Sequence, residues 1–523
     1  MKKALSLILA VVMILCLLAG CGDKPNESTA GGNDTPATEA PSANKRTDVN
    51  LSITQAMTTV DPHGTTYVQD RLILWQAYEG LTFYNELTGG VEPALAESWD
   101  VSDGGTVYTF HLREAYFHNG DKVTAEDAAF SIMRCTDPAN PISMYGTNIK
   151  SAEAIDEKTV KVTLASAYAP FMVNSTMLFV INKKIVEQQG AEFGTKVADA
   201  GTGPYKFTYI DLDERITLEA FDKYWKGEAS IKKINYYPIT DTAAGVMSFE
   251  AGNLDWYNCS VTDYKRLMAQ EGKYGGETMA ANHITFLAIN PNSPIEALHN
   301  EKVRQAIAYA INKDEMNMAA FDGLASVADY LENPDWNYSA PRGFKYEYNP
   351  EKAKQLLAEA GYPNGVDVGT ILDFTGSHFE ICGTVLQAQL EAVGIHAKLE
   401  WAESATCLAR GKKYEYDLYC TGGNCTGDYD NLRKRFYSPL ATKYVDYAAA
   451  GYDAAWLDEM IDKSAATADL AERTALNLEI NDYLMNTATY LPLLHKAVPY
   501  VWNKDLNVVN RPVNPLVYDW SWK

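Results

Sequence analysis

The chain is poor in residues that do chemistry. Eight histidines are scattered over 523 residues, at 63, 111, 118, 283, 299, 378, 396 and 495, and each reads first as an ordinary surface or core side chain. No G-x-S-x-G elbow, H-E-x-x-H helix or G-x-x-x-x-G-K-[ST] loop occurs, which removes support for hydrolases, zinc peptidases and P-loop enzymes of those builds. GTGP at 201–204 resembles a phosphate loop only superficially, because Pro204 has no amide to donate. Positive charge is also scarce: 45 Lys and Arg face 68 Asp and Glu, a formal charge of −23. Such a surface repels nucleic acid and anionic lipid, and weakly favours cationic partners. Beyond Leu18 no apolar run is long enough to cross a bilayer. No internal repeat is apparent.

Apolar residues concentrate at the N-terminus. Lys2 and Lys3 precede a nearly unbroken apolar run from Ala4 to Ala19, and Leu18-Ala19-Gly20 places small residues before Cys21. That is the layout of a secretory signal peptide over residues 1–20. Leu-Ala-Gly-Cys is similar to the bacterial lipobox, so Cys21 is the expected lipid attachment point. A diacylglycerol there would be a stable anchor, whereas one acyl chain is marginal. Loss of Lys2 and Lys3 with the leader takes the formal charge from −23 to −25. After Cys21, the stretch to residue 48 has alanine as its most apolar residue. It cannot order itself, and forms a tether reaching on the order of 30 Å. The body from Val49 to Lys523 is too long for one core and should divide into two or three lobes.

Within the body, the turn Asp103-Gly104-Gly105 is followed by Tyr108, Phe110 and Leu112 alternating with Thr109, His111 and Arg113, as in a half-buried strand. Thr124 and Asp127 form a capping box for a helix through Ala128, Ala129 and Ile132. Period-two strands recur at 159–164 and 216–220. Asn300 should cap a helix with Val303, Ala306, Ile307, Ala310 and Ile311 on one face. Asn349-Pro350 opens another, with Ala353, Leu356, Leu357 and Ala360 inward and Gly361 as its stop. Leu386, Leu390 and Val393 line a third, closed by Gly394. Strands and helices mixed along the whole chain predict α/β or α+β lobes.

Several stretches, taken together, resemble a known family. They are Asp61-Pro62-His63 with Tyr78-Glu79-Gly80-Leu81, the 93–132 block with LAESW, DGGTVYTFHLR and FHNGDKVTAEDA, GTGPYKF at 201–207 and FDKYWKG at 221–227. FLAINPNSP at 286–294, VRQAIAYAINKDEM at 303–316, YNPEKAKQLLAEAGYP at 348–363 and YEYDLY at 414–419 complete the series. In this order they are similar to the extracytoplasmic solute-binding proteins of ABC importers, family 5, the peptide, dipeptide and nickel class. The resemblance implies an α/β, two-lobed periplasmic-binding-protein-like clamp of type II, large class, with an extra subdomain. Lobe I would span 49–284 with 96–206 inserted, lobe II 285–492, and 493–523 would return to lobe I. The crossovers near 284–289 and 490–496 would form a hinge that closes on a ligand.

The resemblance further implies the partners: a di- or oligopeptide ligand, ABC permease subunits, and the membrane through the N-terminal lipid. The protein would act as a monomer on the extracytoplasmic face, without catalysis, cofactor or nucleic acid. A nickel chelate, an oligosaccharide or another small solute is the alternative cargo, and a secreted hydrolase the distant one. Attention falls on CTGGNCTGDYD at 420–430. By the resemblance, Asp428 pairs with the ligand's α-ammonium, with Asp430 as its rival two residues on. Glycines 422, 423 and 427 would let a ligand backbone approach closely, beside Asn424. Tyr429 and Trp401 are candidate pocket walls. The opposite wall would come from His63 to Tyr67, including Thr65 and Thr66. Cys420 and Cys425 supply only two of the four ligands zinc wants, and lack the C-x-x-C spacing of a redox pair. A structural disulfide, between the two or from Cys425 to a cysteine such as Cys259, and free thiols both remain open.

Overall fold

The computed structural model describes residues 46–330, 344–424, 430–439, 445–511 and 515–523. The expected leader, Cys21 and nearly all of the tether lie outside the described residues.

The alternating stretch near residue 108 does form a strand. Ala96–Ser102, Val107–Leu112, Thr159–Leu164 and Ile149–Ala154 make an antiparallel sheet in that spatial order. Its inward side chains, including Phe110, Leu112, Val160 and Val162, share a core with Ala128 and Ile132 of the helix Ala125–Arg134. The predicted capping box is complete: Thr124 Oγ1 accepts from the Asp127 amide, and Asp127 Oδ2 accepts from the Thr124 amide, both at 3.2 Å. A second sheet orders Asp48–Ile53, Lys233–Pro238, Arg215–Ala220 and Tyr205–Asp211. Its core takes Val517, Trp520 and Trp522 from the C-terminus, so the chain ends beside where the body begins.

The other lobe is built on a seven-stranded sheet. Its spine is two long antiparallel strands, Tyr274–Ile289 and Tyr490–Asn503. At one end Tyr490–Asn503 pairs with Trp256–Asn258, and Trp256 and Tyr500 enter the first lobe's core. At the other end Tyr274–Ile289 pairs with Leu418–Asn424, which runs parallel to Val366–Phe374 and on to Ile395–Ala402. The period of two there feeds two cores. Leu287, Ile289, Leu418 and Cys420 pack under the helices Glu301–Ala310, Pro350–Glu359 and His378–Glu391. Ile284, Phe286, Ala288 and Tyr419 face Ala454–Ala466 and Leu470–Thr487. The fold is thus α/β and two-lobed. Between the lobes the spine breaks register: Ala280 pairs with Ala497 and Ile284 with His495, leaving residues 281–283 opposite Lys496 alone.

Helix caps fall where the sequence puts them, at Asn300 and at Asn349 before Pro350. One boundary differs. Ile311 is outside the helix, in extended conformation, because Asn312 caps the next helix, Lys313–Phe321. Ile311 still reaches the same core.

The stretches that carry the family resemblance meet one another as joints. Glu79 of YEGL accepts from Tyr224 Oη (2.7 Å) and Trp225 Nε1 (3.1 Å) of FDKYWKG. The His118 amide of FHNGD donates to Gly201 O (2.9 Å), and its ring lies 3.0 Å from Gly203 O in GTGPYKF. A Cβ on Gly201 would sit 2.1 Å from Ala77 O, so only glycine lets this loop reach the end of the helix Val68–Ala77. Ser293 Oγ of FLAINPNSP donates to Asp417 of YEYDLY at 2.5 Å. Asp61 takes Arg134 in a bidentate pair at 2.6 and 3.0 Å.

Candidate functional site: the carboxyl edge of the second-lobe sheet

Three parallel strands end at the same edge of the sheet, Phe374 level with Ala402 and Asn424 running further out, and His283 lies directly across from Asn424 on the antiparallel spine strand. The carboxyl edge of such a sheet is where open α/β folds take ligands. Here it coincides with the register break between the lobes, at residues 281–283 and Lys496.

The helix His378–Glu391 begins at this edge, capped by the Ser377 side chain. His378 Nε2 lies 3.1 Å from Thr285 Oγ1. Its ring stands nearly perpendicular to that of His283, with centroids 6.0 Å apart. Phe379 packs on Phe374 at 4.9 Å and on His283 at 6.0 Å. Gly422 makes this side possible, since a Cβ there would meet His283 Cε1 at 2.5 Å and Phe379 Cζ at 2.8 Å. On the opposite face Gly423 lies under Arg435, whose guanidinium nitrogens would be 3.2 Å from an added Cβ. Arg435 donates to the Asn424 carbonyl at 3.2 Å and stacks 5.3 Å over Phe286.

The charged side chains that act on the two imidazoles at this edge are cationic. Burial, then the Lys496 and Arg435 charges, hold the His283 imidazole down at about 4; burial, then Lys496, hold His378 at about 3. Both rings are neutral at physiological pH. His283 Nδ1 is buried without a hydrogen-bond partner. Lys496 is solvent-exposed, yet the protein around it lowers its pKa.

The structure brings some of the predicted site residues to this edge. Gly423 and Asn424 form it, although Gly422 and Gly423 are already lined by the protein's own side chains. Trp401, 46% exposed, sits one residue from the end of the neighbouring strand. Asp428 and Tyr429, with Cys425 and Gly427, lie outside the described residues. Asp430 starts the helix Asp430–Phe436. In the first lobe, Tyr67 is 64% exposed and Thr66 is also exposed, whereas Thr65 is buried and donates its hydroxyl to Asp70 at 2.7 Å. His63 does not form a wall: it is fully buried, its Nε2 2.9 Å from Phe179 O.

The disulfide expectation is corrected at two of its cysteines. Cys420 and Cys259 are free thiols, each buried in a core. Strand alternation aims Cys420 into the helix-covered core, and burial pushes its thiol well above the ordinary value. Among the described residues no three His, Cys, Asp or Glu are grouped to hold a metal. The residues that sequence reasoning missed are His283, His378 and Lys496. They are far apart along the chain and belong to no motif, and only strand pairing assembles them.

Comparison with known proteins agrees with this architecture. Heme-binding protein A of Haemophilus influenzae is 27% identical over 541 aligned positions, covering 95% of this chain and 94% of that one. The glutathione-binding protein GsiB of Escherichia coli K12 is 28% identical over 472, covering 88% and 91%. Among solved structures, the periplasmic binding protein DppA of Helicobacter pylori in complex with the peptide STSA superposes with a TM-score of 0.70 at 25% identity, covering 91% and 98%. The family model described as bacterial extracellular solute-binding proteins, family 5 middle, matches residues 90–443, from just before the strand Ala96–Ser102 through the three strand ends of the carboxyl edge, with Lys496 beyond it. A two-lobed α/β body whose shared motifs are fold joints, with its candidate site at the crossover, is thereby placed: this chain belongs to the bacterial extracellular solute-binding proteins of family 5.

Proposed function

We propose that this protein is the peptide-capturing component of an ABC importer, held at the extracytoplasmic face by lipid on Cys21 and working as a monomer without catalysis. The observation that carries the reading is the coincidence of the sheet's carboxyl edge with the register break between the lobes. A ligand at that edge would touch the pivot of closure, so binding energy could be coupled to a lobe motion that a permease recognises. The relatives are named for different cargoes, heme and glutathione, and one is solved with a peptide. Cargo is therefore set by side chains in the cleft rather than by the fold.

In this reading lobe I is 49–284 with 96–206 inserted, lobe II is 285–492, and 493–523 returns to lobe I, with the pivot at residues 281–283 and Lys496. Asp428 pairs with the ligand's α-ammonium, and a charge-assisted bond in a partly desolvated cleft would give a preference for free N-termini. Gly423, Asn424, Tyr429 and Trp401 form the second-lobe wall, and Thr66 and Tyr67 face them. The supporting test is native mass spectrometry of the purified protein for co-purified ligand, followed by titration of a recovered peptide. Asp428→Asn should weaken binding at least tenfold with an unchanged melting curve, while Asp430→Asn should not. Equal affinity for the N-acetylated peptide would overturn the ammonium anchor, and a co-purified metal chelate or sugar would overturn peptide cargo.

A further inference from the structure

The chain is strongly acidic, yet the candidate site holds a lysine that has no counter-ion among the described residues. Among the described residues no carboxylate acts on Lys496, and the surrounding protein alone bears on its ammonium. The carboxyls described at this edge are engaged elsewhere: Glu380 accepts from the Gly376 amide and Asp373 from the Phe374 amide, each at 2.7 Å, and neither acts on Lys496. His283 and His378 are neutral, His378 is turned to Thr285, and Arg435 spends one donor on a carbonyl and lies over Phe286. Lys496 has a fixed address: it is the single residue opposite the break at 281–283, between His495 and Ala497, both buried. Solvent-exposed on a strand whose flanking residues are buried, the Lys496 ammonium is open to an anion carried by a ligand.

Resting on the peptide reading above, we propose that Lys496 receives a carboxylate of the ligand, so that the solute carries an anionic group at the pivot of the clamp. Pairing there is a charge-assisted contact made where the lobes hinge, and the loss of one such contact should cost about tenfold to a hundredfold in affinity. Burial is the main cause that holds both imidazoles down, and the bound carboxylate would offset the smaller share that comes from the Lys496 charge. The His283 and His378 resonances should therefore titrate at higher pH in the complex than in the free protein.

The test is calorimetric titration of the full mature protein, refolded free of co-purified ligand, with Ala-Glu-Ala, Ala-Gln-Ala, and Ala-Ala-Ala as free acid and as C-terminal amide. Lys496→Met and Lys496→Arg serve as variants. The expected result is at least a tenfold preference for Glu over Gln if a side-chain carboxylate is held, or for acid over amide if the C-terminus is. That preference should vanish in Lys496→Met, persist in Lys496→Arg, and leave affinity for the neutral member unchanged. Absence of both preferences in the wild type, or their survival in Lys496→Met, would overturn the proposal. If no peptide binds, succinate and inorganic phosphate become the probes. A thermal shift with either, lost in Lys496→Met, retains Lys496 as an anion anchor and sinks the peptide reading, whereas no shift with either sinks both.

Discussion

At Gly422 one hydrogen atom decides whether the carboxyl edge can assemble. A methyl group there would intrude on His283 Cε1 at 2.5 Å, Ile284 O at 2.7 Å and Phe379 Cζ at 2.8 Å, all parts of a packed wall. At Gly423 the added group would meet only the far end of Arg435, at 3.2 Å. Gly422→Ala is therefore expected to destabilise the fold by about 1–3 kcal/mol, as overpacking does, and Gly423→Ala by clearly less. Urea melts of the two variants decide this, and equal losses would mean that both glycines serve backbone geometry instead. The same residues show how far the sequence could be read. The glycine pair draws attention to the right strand, but its partners, His283 of the paired strand and Phe379 and Arg435 of two helices, are visible only once strands pair.

Elements were legible wherever a local signal fixes them. Thr124 and Asp127 satisfy each other's amides within four residues, so no tertiary information is needed to place the helix start. Thr124→Ala should cost about 1 kcal/mol, seen as a lower urea midpoint with an unchanged slope; a loss within error would mean that tertiary contacts alone hold this helix. The end of the helix Glu301–Ala310 was less legible, since Ile311 fits the apolar stripe but is claimed by the Asn312 cap of its neighbour. The break at residues 281–283 leaves no local trace at all. It is a mismatch between two strands more than two hundred residues apart, and neither strand alone records it.

At the scale of the whole molecule, buried titrating groups set the response to acid. Four histidines are held neutral by burial: His63, His118 and His283 at about 4 and His378 at about 3, from an ordinary value of 6.5. Between pH 6.5 and 4 the unfolded chain binds these protons and the native state does not, so stability falls as the pH falls through that window. Asp373 and Glu79 oppose this, because burial pushes both carboxyls up to about 7. Their native forms keep a proton that the unfolded chain loses above its ordinary carboxylate range, so their contribution falls as pH rises towards 7. Four groups outweigh two with shifts of similar size. The melting temperature should drop between pH 7 and pH 5, and a rise would show that the two carboxyls dominate. Asp373→Asn should steepen that drop by removing one opposing proton.

Closure acts at this scale too. Ala169, after the strand Thr159–Leu164, already donates its amide to Ala465 O of the helix Ala454–Ala466 at 2.7 Å. A ligand at the pivot should therefore compact the protein further by no more than a small lobe rotation. Small-angle scattering with and without ligand measures it, and an unchanged radius of gyration would argue that this contact already marks the closed form.

By itself the sequence determined the caps, the strand periods, the family motifs and the acidic surface, because each depends on neighbours a few residues apart or on composition alone. It also directed attention to the strand that ends in Asn424. Tertiary structure decided what that edge is made of. Pairing of Tyr274–Ile289 with strands on both sides set His283 beside His378, left Lys496 without a counter-ion among the described residues, and turned Cys420 inward as a buried thiol. Those outcomes depend on register and on which face of a strand meets which helix. A shift of one residue would reverse every one of them.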